Sequence, residues 1–214
     1  MMTGHNHIWR MPVLAIVEAA GWPIWFLIIA SIISVGLIAE RLITLRSSRV
    51  APPSLLDEVI KELKQRGVND AMLAKLAQHS PLGSIFAAGL KNIKSSPEIM
   101  KESVEEAGRA AAHELERFLT TLGTIASISP LLGLFGTVVG MIEIFGSQTA
   151  AGNSPAILAH GISVALYNTA FGLIVAIPSM ISYRHFRAKA DSLTIEMEQQ
   201  AIKLVEIVHG QRKG

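Results

Sequence analysis

Residues 119–183 read LTTLGTIASISPLLGLFGTVVGMIEIFGSQTAAGNSPAILAHGISVALYNTAFGLIVAIPSMISY, and they decide the fold. The stretch contains one formally charged residue, Glu143. Charged residues make up about a quarter of an average soluble chain, and they disappear over such a distance mainly where the chain crosses a lipid bilayer. The stretch therefore predicts two transmembrane helices, residues 119–145 and 157–183, joined by a short polar loop over residues 146–156.

A third apolar segment lies near the N-terminus. WPIWFLIIASIISVGLIA contains 18 uncharged residues, which is close to the lower limit for crossing a bilayer, and it predicts a first span over residues 22–40. Trp22 suits the boundary between lipid and water at one end, and Glu40 marks the other. We expect residues 1–21 to form an amphipathic helix at the membrane surface. His5 and His7 in that segment lack a third ligand, so no metal site is predicted.

The basic residues are distributed unevenly between the predicted spans. Residues 41–117 hold twelve of the 19 Lys and Arg residues, whereas the loop over residues 146–156 holds none. Because Lys and Arg of short loops favour the cytoplasmic side, residues 41–118 and 184–214 are predicted to be cytoplasmic. The N-terminus and the loop over residues 146–156 are then predicted to lie on the outer side of the membrane.

Helix signals recur through the predicted cytoplasmic region. Two short helices are predicted over residues 55–66, with Ser54 as a possible cap, and over residues 70–79. Ser96 and Pro97 then begin a long helix with a serine cap and a proline in its first turn. Since no strong helix breaker follows before Pro130, we expect one unbroken helix from Pro97 to Phe145, about 70 Å long.

These signals together predict an all-α membrane protein. It has three transmembrane helices, and the second and third are long and extend into a cytoplasmic helical bundle that ends with a helix over residues 184–214. The chain has no cysteine, which excludes disulfides, thiolate catalysis and cysteine-ligated metals. We predict no cofactor, and the spans contain no nucleophile–base pair or cluster of His, Asp and Glu that would indicate an enzyme. Nothing indicates nucleic-acid binding, and the basic region is suited to anionic lipid headgroups.

Small residues follow one face of each of the last two spans. Gly133, Gly136 and Gly140 share a face of the second span, and GxxxG spacing allows helix backbones to approach closely. In the third span the corresponding face holds a longer set of small residues, which consists of Gly161, Ala165, Thr169, Gly172 and Ala176. We expect these two faces to pack tightly, against one another or against a neighbouring subunit.

Polar residues inside the spans are the candidates for chemistry. Thr137 and Thr169 lie on the small-residue faces, so two hydroxyls would line whatever those faces enclose. The alternative for any single Ser or Thr is a hydrogen bond to its own backbone, above all near Pro130, which frees a carbonyl and allows a kink. We expect Tyr167 and Asn168 to serve packing, and His160 to lie at the outer membrane boundary in contact with water.

The segments SISPLLGLFGTVVGM and GISVALYNTAFGLIVAIPSMISY resemble the signature region of the ExbB/TolQ/MotA superfamily, and resemble ExbB most closely. The resemblance covers the second and third spans. A single first span followed by a basic region agrees with ExbB and TolQ rather than with the four-span MotA.

The resemblance implies a subunit of a proton-driven motor in the inner membrane. It implies a homopentamer around a central pore that holds the spans of an ExbD-like partner, with proton entry energising a TonB-like protein and so import through the outer membrane. The span-two and span-three threonines of the family correspond to Thr137 and Thr169.

One position departs from the pattern of the family. ExbB and TolQ relatives of the best-known type carry a glutamate in the third span, in a setting such as GI-A-E-AL, where this chain has Val164. Valine cannot carry a proton, so in a proton motor the titrating carboxylate would come from the partner, with Thr137, Thr169 and Ser163 as a polar wall. Two alternatives stay open, a TolQ-like subunit that serves outer-membrane integrity and a membrane scaffold that conducts no protons.

Overall fold

The computed structural model describes residue 17 and residues 20–146 and 155–210. This part of the chain contains helices and no strand, which confirms the all-α prediction. Most of the predicted N-terminal helix and most of the predicted loop lie outside the described residues. Eight helices have defined bounds: α1 Ile24–Thr44, α2 Ser47–Val50, α3 Leu55–Arg66, α4 Asp70–His79, α5 Pro81–Lys91, α6 Pro97–Glu116, α7 Leu119–Gly146 and α8 Pro155–Val208.

Three segments of the described residues are long and apolar enough to cross a membrane. They are α1, the segment Pro97–Gly146 that contains α7, and Leu158–Val208 within α8. Each contains a window of 18 residues with at most two charged side chains. The protein is therefore a multi-pass membrane protein.

The chain divides into two compact units. The apolar unit consists of the described residues up to Ile38 together with Thr120–Tyr183, and the polar unit consists of Ala39–Leu119 together with the described residues from Arg184 onward. Helix α8 contributes its first half to the apolar unit and its second half to the polar unit.

The outer surface of the apolar unit is suited to lipid. Large aliphatic side chains there stay more than half exposed, including Ile32 on α1, Ile142 on α7 and Ile174 on α8. A hydrogen bond between two side chains is buried in this unit, where the hydroxyls of Ser34 and Ser179 lie 2.6 Å apart. Because both groups lie in predicted spans, this bond satisfies polar atoms that no lipid could satisfy.

The polar unit has a core of large side chains. Helix α5 is buried along most of its length, and a Cβ on Gly89 would lie 2.8 Å from the side chain of Val104 on α6. Leu193 and Met197 on α8 are at most 1% exposed. The sequence analysis did not predict α5. Ser80 ends α4 and also caps α5, since its hydroxyl accepts a hydrogen bond of 3.0 Å from the backbone N–H of Gly83.

The prediction of one unbroken helix from Pro97 to Phe145 is wrong. Helix α6 ends at Glu116 and α7 begins at Leu119. Between them Phe118 has φ +64°, which a residue with a Cβ seldom adopts. The buried guanidinium of Arg41 donates a hydrogen bond of 3.2 Å to the Leu115 carbonyl and so satisfies an end group of α6. This contact comes from a residue more than 70 positions away, which is why no local signal revealed the break.

Candidate transmembrane site

Helices α7 and α8 approach so closely that their backbones touch. A Cβ on Gly133 would lie 2.7 Å from the carbonyl oxygen of Asn168 and 2.9 Å from the Cα of Thr169. A Cβ on Gly172 would lie 2.6 Å from the carbonyl oxygen of Ser129. Real Cβ atoms do not occupy such positions, so both sites require glycine.

The other small residues define the register of this contact. Gly136 receives the side chain of Asn168, whose Cγ would be 2.6 Å from an added Cβ. Gly140 lies against Ala165, at 3.1 Å between the Cβ positions. Since the contacts move toward the N-terminus of α8 as they move toward the C-terminus of α7, the two helices are antiparallel. The predicted packing residues are thus brought together within one chain.

Thr137 and Thr169 lie on the same side of this helix pair. Thr137 lies four positions after the contact residue Gly133 in α7, and Thr169 lies four positions after the contact residue Ala165 in α8. Four positions rotate a side chain by about 40° from the contact direction. Because the helices are antiparallel, the same rotation in each helix turns both threonines to the same side of the pair. The hydroxyl of Thr137 donates a hydrogen bond of 2.7 Å to the carbonyl of Leu134. Thr137 also lines a groove of about 610 Å³ whose other lining residues are Val138, Met141, Ile142, Phe145 and Gly146.

Ser163 does not join the two threonines. It is exposed, and its hydroxyl donates a hydrogen bond of 2.9 Å to the carbonyl of Ala159 in its own helix. Ser163 precedes the contact residue Ala165 by two positions, or about 200° of helix rotation, so it faces away from α7. Its predicted place in a polar wall beside Thr137 finds no support in this geometry.

Val164 lies on another face of α8. It is half-buried and lines a cavity together with Glu143 of α7 and Pro23. Five positions separate Val164 from Thr169, which corresponds to about 140° of rotation. Val164, where the resemblance led us to expect a glutamate, is therefore turned away from the threonine side of the helix pair.

Pro130 lies inside α7, where its ring removes one backbone hydrogen bond. The neighbouring hydroxyl of Ser129 donates a hydrogen bond of 2.7 Å to the Ile125 carbonyl. That bond goes to Ile125, whereas the carbonyl that Pro130 leaves without its helical donor belongs to Ala126. The kink at Pro130 stays a prediction.

Asn168 has a larger structural role than the sequence analysis gave it. It is 1% exposed, and its Nδ2 donates a hydrogen bond of 2.9 Å to the carbonyl of Ala20, just before α1. One side chain thus contacts α7 at Gly136 and the chain that leads into the first span. The signal for it was available, because a carboxamide within a span is costly unless a specific partner receives it.

A comparison with known protein families shows which family the chain belongs to. Residues 77–199 match the MotA/TolQ/ExbB proton channel family. This match covers more than half of the chain, and the chain belongs to that family.

Individual relatives agree with this assignment. Over 188 residues the chain is 31% identical to the biopolymer transport protein exbB1 of Vibrio cholerae, which covers 85% of this chain and 82% of that protein. It is 34% identical over 184 residues to the Tol-Pal system protein TolQ of Pseudomonas aeruginosa, with 78% of each chain covered. These identities are too similar to separate an ExbB-like from a TolQ-like role.

Proposed function

We propose that this protein is the ExbB-like subunit of a motor in the bacterial inner membrane, which uses the proton motive force to energise import through the outer membrane. The observation that carries this proposal is the close α7–α8 pair, which presents Thr137 and Thr169 on one side in a family of proton channels. A hydroxyl can donate or accept a hydrogen bond without the cost of a fixed charge in the bilayer.

The threonine side faces the partner in this proposal. Five copies surround a central pore, and an ExbD-like protein contributes the spans inside it. The titrating carboxylate then belongs to the partner, because Val164 cannot titrate and also lies about 140° from Thr169. The N-terminus is periplasmic, the C-terminus is cytoplasmic, and a TonB-like protein receives the output.

Substitution of the two threonines tests the motor. We expect Thr137→Val and Thr169→Val to abolish growth on a nutrient that requires energised import, while native mass spectrometry shows the same assembly with its partner. Thr124→Val is the matched control, because Thr124 is an exposed threonine of α7 whose hydroxyl donates a hydrogen bond of 2.9 Å to the Thr120 carbonyl. Normal growth of both threonine variants would contradict the proposal.

Val164 favours a second candidate, a scaffold that conducts no protons. Native mass spectrometry of the chain coexpressed with the single-span product of a neighbouring gene separates the two. Uptake of that partner into a homopentamer supports a motor, whereas a stable assembly that takes up no partner supports the scaffold. Sensitivity of a deletion strain to detergents, with normal import, would instead assign the motor to the TolQ type.

A further inference from the structure

A groove of about 500 Å³ lies in the polar unit, between α6 and the second half of α8. Glu116, at the end of α6, pairs with Arg187 at 3.0 Å, whereas Lys101 near the start of α6 lines the groove with Val205, so the two helices are antiparallel. The lining positions on α6 run from Lys101 to Ala112, which corresponds to about 16 Å at 1.5 Å per residue. The groove is thus long enough for about three turns of a third helix.

The floor of the groove is apolar and has open space above it. Ile85 from α5, Val104 from α6 and Met197 from α8 contribute to the floor, and each is at most 8% exposed. Gly108 lies on the α6 side, and a Cβ on this glycine would meet no atom within 4 Å. A glycine inside a helix is destabilising relative to alanine, and no contact among the described residues requires it here. The space above Gly108 allows the backbone of another helix to approach closely.

The groove continues into an exposed apolar patch on α8. Ile202 lines the groove and is 48% exposed, and Ile195, seven positions earlier on the same face, is 55% exposed. Large apolar side chains that are exposed beside an apolar groove indicate a surface for protein binding. Small-molecule sites enclose most of the ligand, whereas both edges of this groove contain exposed side chains, so the groove is suited to a helix.

The two edges of the groove differ in charge. The α6 edge carries two cations and one carboxylate, Lys101, Arg109 and Glu105, and the last two form an ion pair of 3.7 Å. The α8 edge carries the carboxylate of Glu198. Among the described residues, neither Lys101 nor Glu198 forms an ion pair. A helix in the groove is therefore complementary when it presents a carboxylate to Lys101 and a cation to Glu198.

We propose that this groove binds an amphipathic helix of a second protein, with acidic residues on the flank toward α6 and basic residues on the flank toward α8. Apolar anchors at i, i+3 or i+4, and i+7 span about 10 Å and fit the length of the groove. A second copy of this chain is a poorer match. Its exposed pair Ile195 and Ile202 adjoins its own Glu198, so insertion of that pair would bring two carboxylates together at the α8 edge. The site lies wholly in the polar unit and does not depend on the motor function.

Helical peptides of defined charge test the groove on the full-length protein in detergent. Three fluorescent peptides share the same leucine anchors and carry glutamate on one flank and lysine on the other, lysine on both flanks, or glutamate on both flanks. We expect the mixed peptide to bind about tenfold more tightly than either of the others, as measured by fluorescence anisotropy. Lys101→Glu should shift the preference to the lysine peptide and Glu198→Lys to the glutamate peptide, because each reversal gives both edges the same sign.

Filling the groove tests the site independently of charge. Gly108→Leu places a side chain in the open space and should weaken binding of the mixed peptide by about tenfold or more. Ala110→Leu is the matched control, because Ala110 is an exposed residue of the same helix and lies about 200° around it from Gly108. Equal binding of the mixed peptide to both leucine variants, or an unchanged peptide preference in the two charge variants, would overturn the proposal.

Cysteine labelling distinguishes a second protein from a second copy, because the natural chain contains no cysteine. In the full-length assembly, Gly108→Cys should react with a bulky maleimide as fast as Ala110→Cys, and the mixed peptide should protect only Gly108→Cys. Slow labelling of Gly108→Cys without peptide would show that the assembly itself closes the groove, which contradicts the proposal. A disulfide between Gly108→Cys and Ile195→Cys in mixed assemblies would identify a second copy as the occupant and would also contradict it.

Discussion

The two halves of helix α8 pack by different chemistry. In the apolar unit, α8 contacts α7 through Gly172, through Ala165 and through the backbone and side chain of Asn168, so small residues form most of the contact. In the polar unit, the same helix buries Leu193, Met197 and Leu204, each at most 1% exposed.

The difference follows from the surrounding medium. In water, removal of large apolar side chains from solvent stabilises a helix interface. Lipid chains are as apolar as leucine, so large side chains gain little between spans, and close van der Waals contact through small residues takes over. The two halves of α8 are therefore stabilised by different interactions, and substitutions in the two halves should have different effects on the protein.

The largest effect is expected at Gly172. Gly172→Val places a Cβ 2.6 Å from the Ser129 carbonyl oxygen, so α7 and α8 cannot close. We expect no monodisperse protein by size-exclusion chromatography in detergent. Gly36→Val is the control, because a Cβ on Gly36 meets nothing within 4 Å. If Gly172→Val elutes at the same volume as the unsubstituted protein, close contact at Gly172 is not required for the packing of α7 and α8.

A smaller effect is expected for Leu193→Ala in the polar unit. Truncation of a leucine that is 0% exposed leaves a cavity, and it should cost about 2–5 kcal/mol of unfolding free energy. Thermal unfolding in detergent measures it, with the 55% exposed Ile195→Ala as the control on the same helix. If both variants unfold at the same temperature, the core assigned to this half of α8 is wrong.

Arg41→Gln should have a local effect. It leaves the Leu115 carbonyl without its charged donor, at a cost of about 1–3 kcal/mol. Amide hydrogen exchange should rise around residues 115–120, where Phe118 has its positive φ. Arg109→Gln serves as the control, since Arg109 is exposed and forms a surface ion pair of 3.7 Å with Glu105. Unchanged exchange in Arg41→Gln would mean that Arg41 does not maintain the helix break.

The smallest effect is expected for the hydroxyl pair of the apolar unit. A double-mutant cycle of Ser34→Ala and Ser179→Ala should give a coupling of about 0.6 kcal/mol, the average for hydrogen bonds between membrane helices. The hydroxyl of Ser179 also forms a hydrogen bond of 2.6 Å with the Val175 carbonyl of its own helix. The hydroxyl therefore retains a hydrogen-bond partner when Ser34 is replaced. Ser127→Ala controls for the loss of a bond to the helix's own backbone. A coupling above 2 kcal/mol would place hydrogen bonding beside glycine packing as a main force between the spans.

Local signals predicted some helix ends correctly and missed others. The helix predicted over residues 70–79 is confirmed, and Asn69 caps it by accepting a hydrogen bond of 2.7 Å from the N–H of Met72. Helix α5 was missed, although the Ser80-Pro81 pair that starts it is a recognisable cap. The break at Phe118 carries no such signal, because neither glycine nor proline occurs there.

The sequence by itself determined the membrane class, the all-α fold and the family, because charge depletion, glycine spacing and a long motif are properties of the chain alone. Only the tertiary structure decided which faces meet. It turned Thr137 and Thr169 to one side, Ser163 away from the contact, and Val164 into a cavity with Glu143 and Asn168. The physical reason is that helical periodicity limits a residue to a face, whereas the neighbour of that face depends on contacts between distant segments.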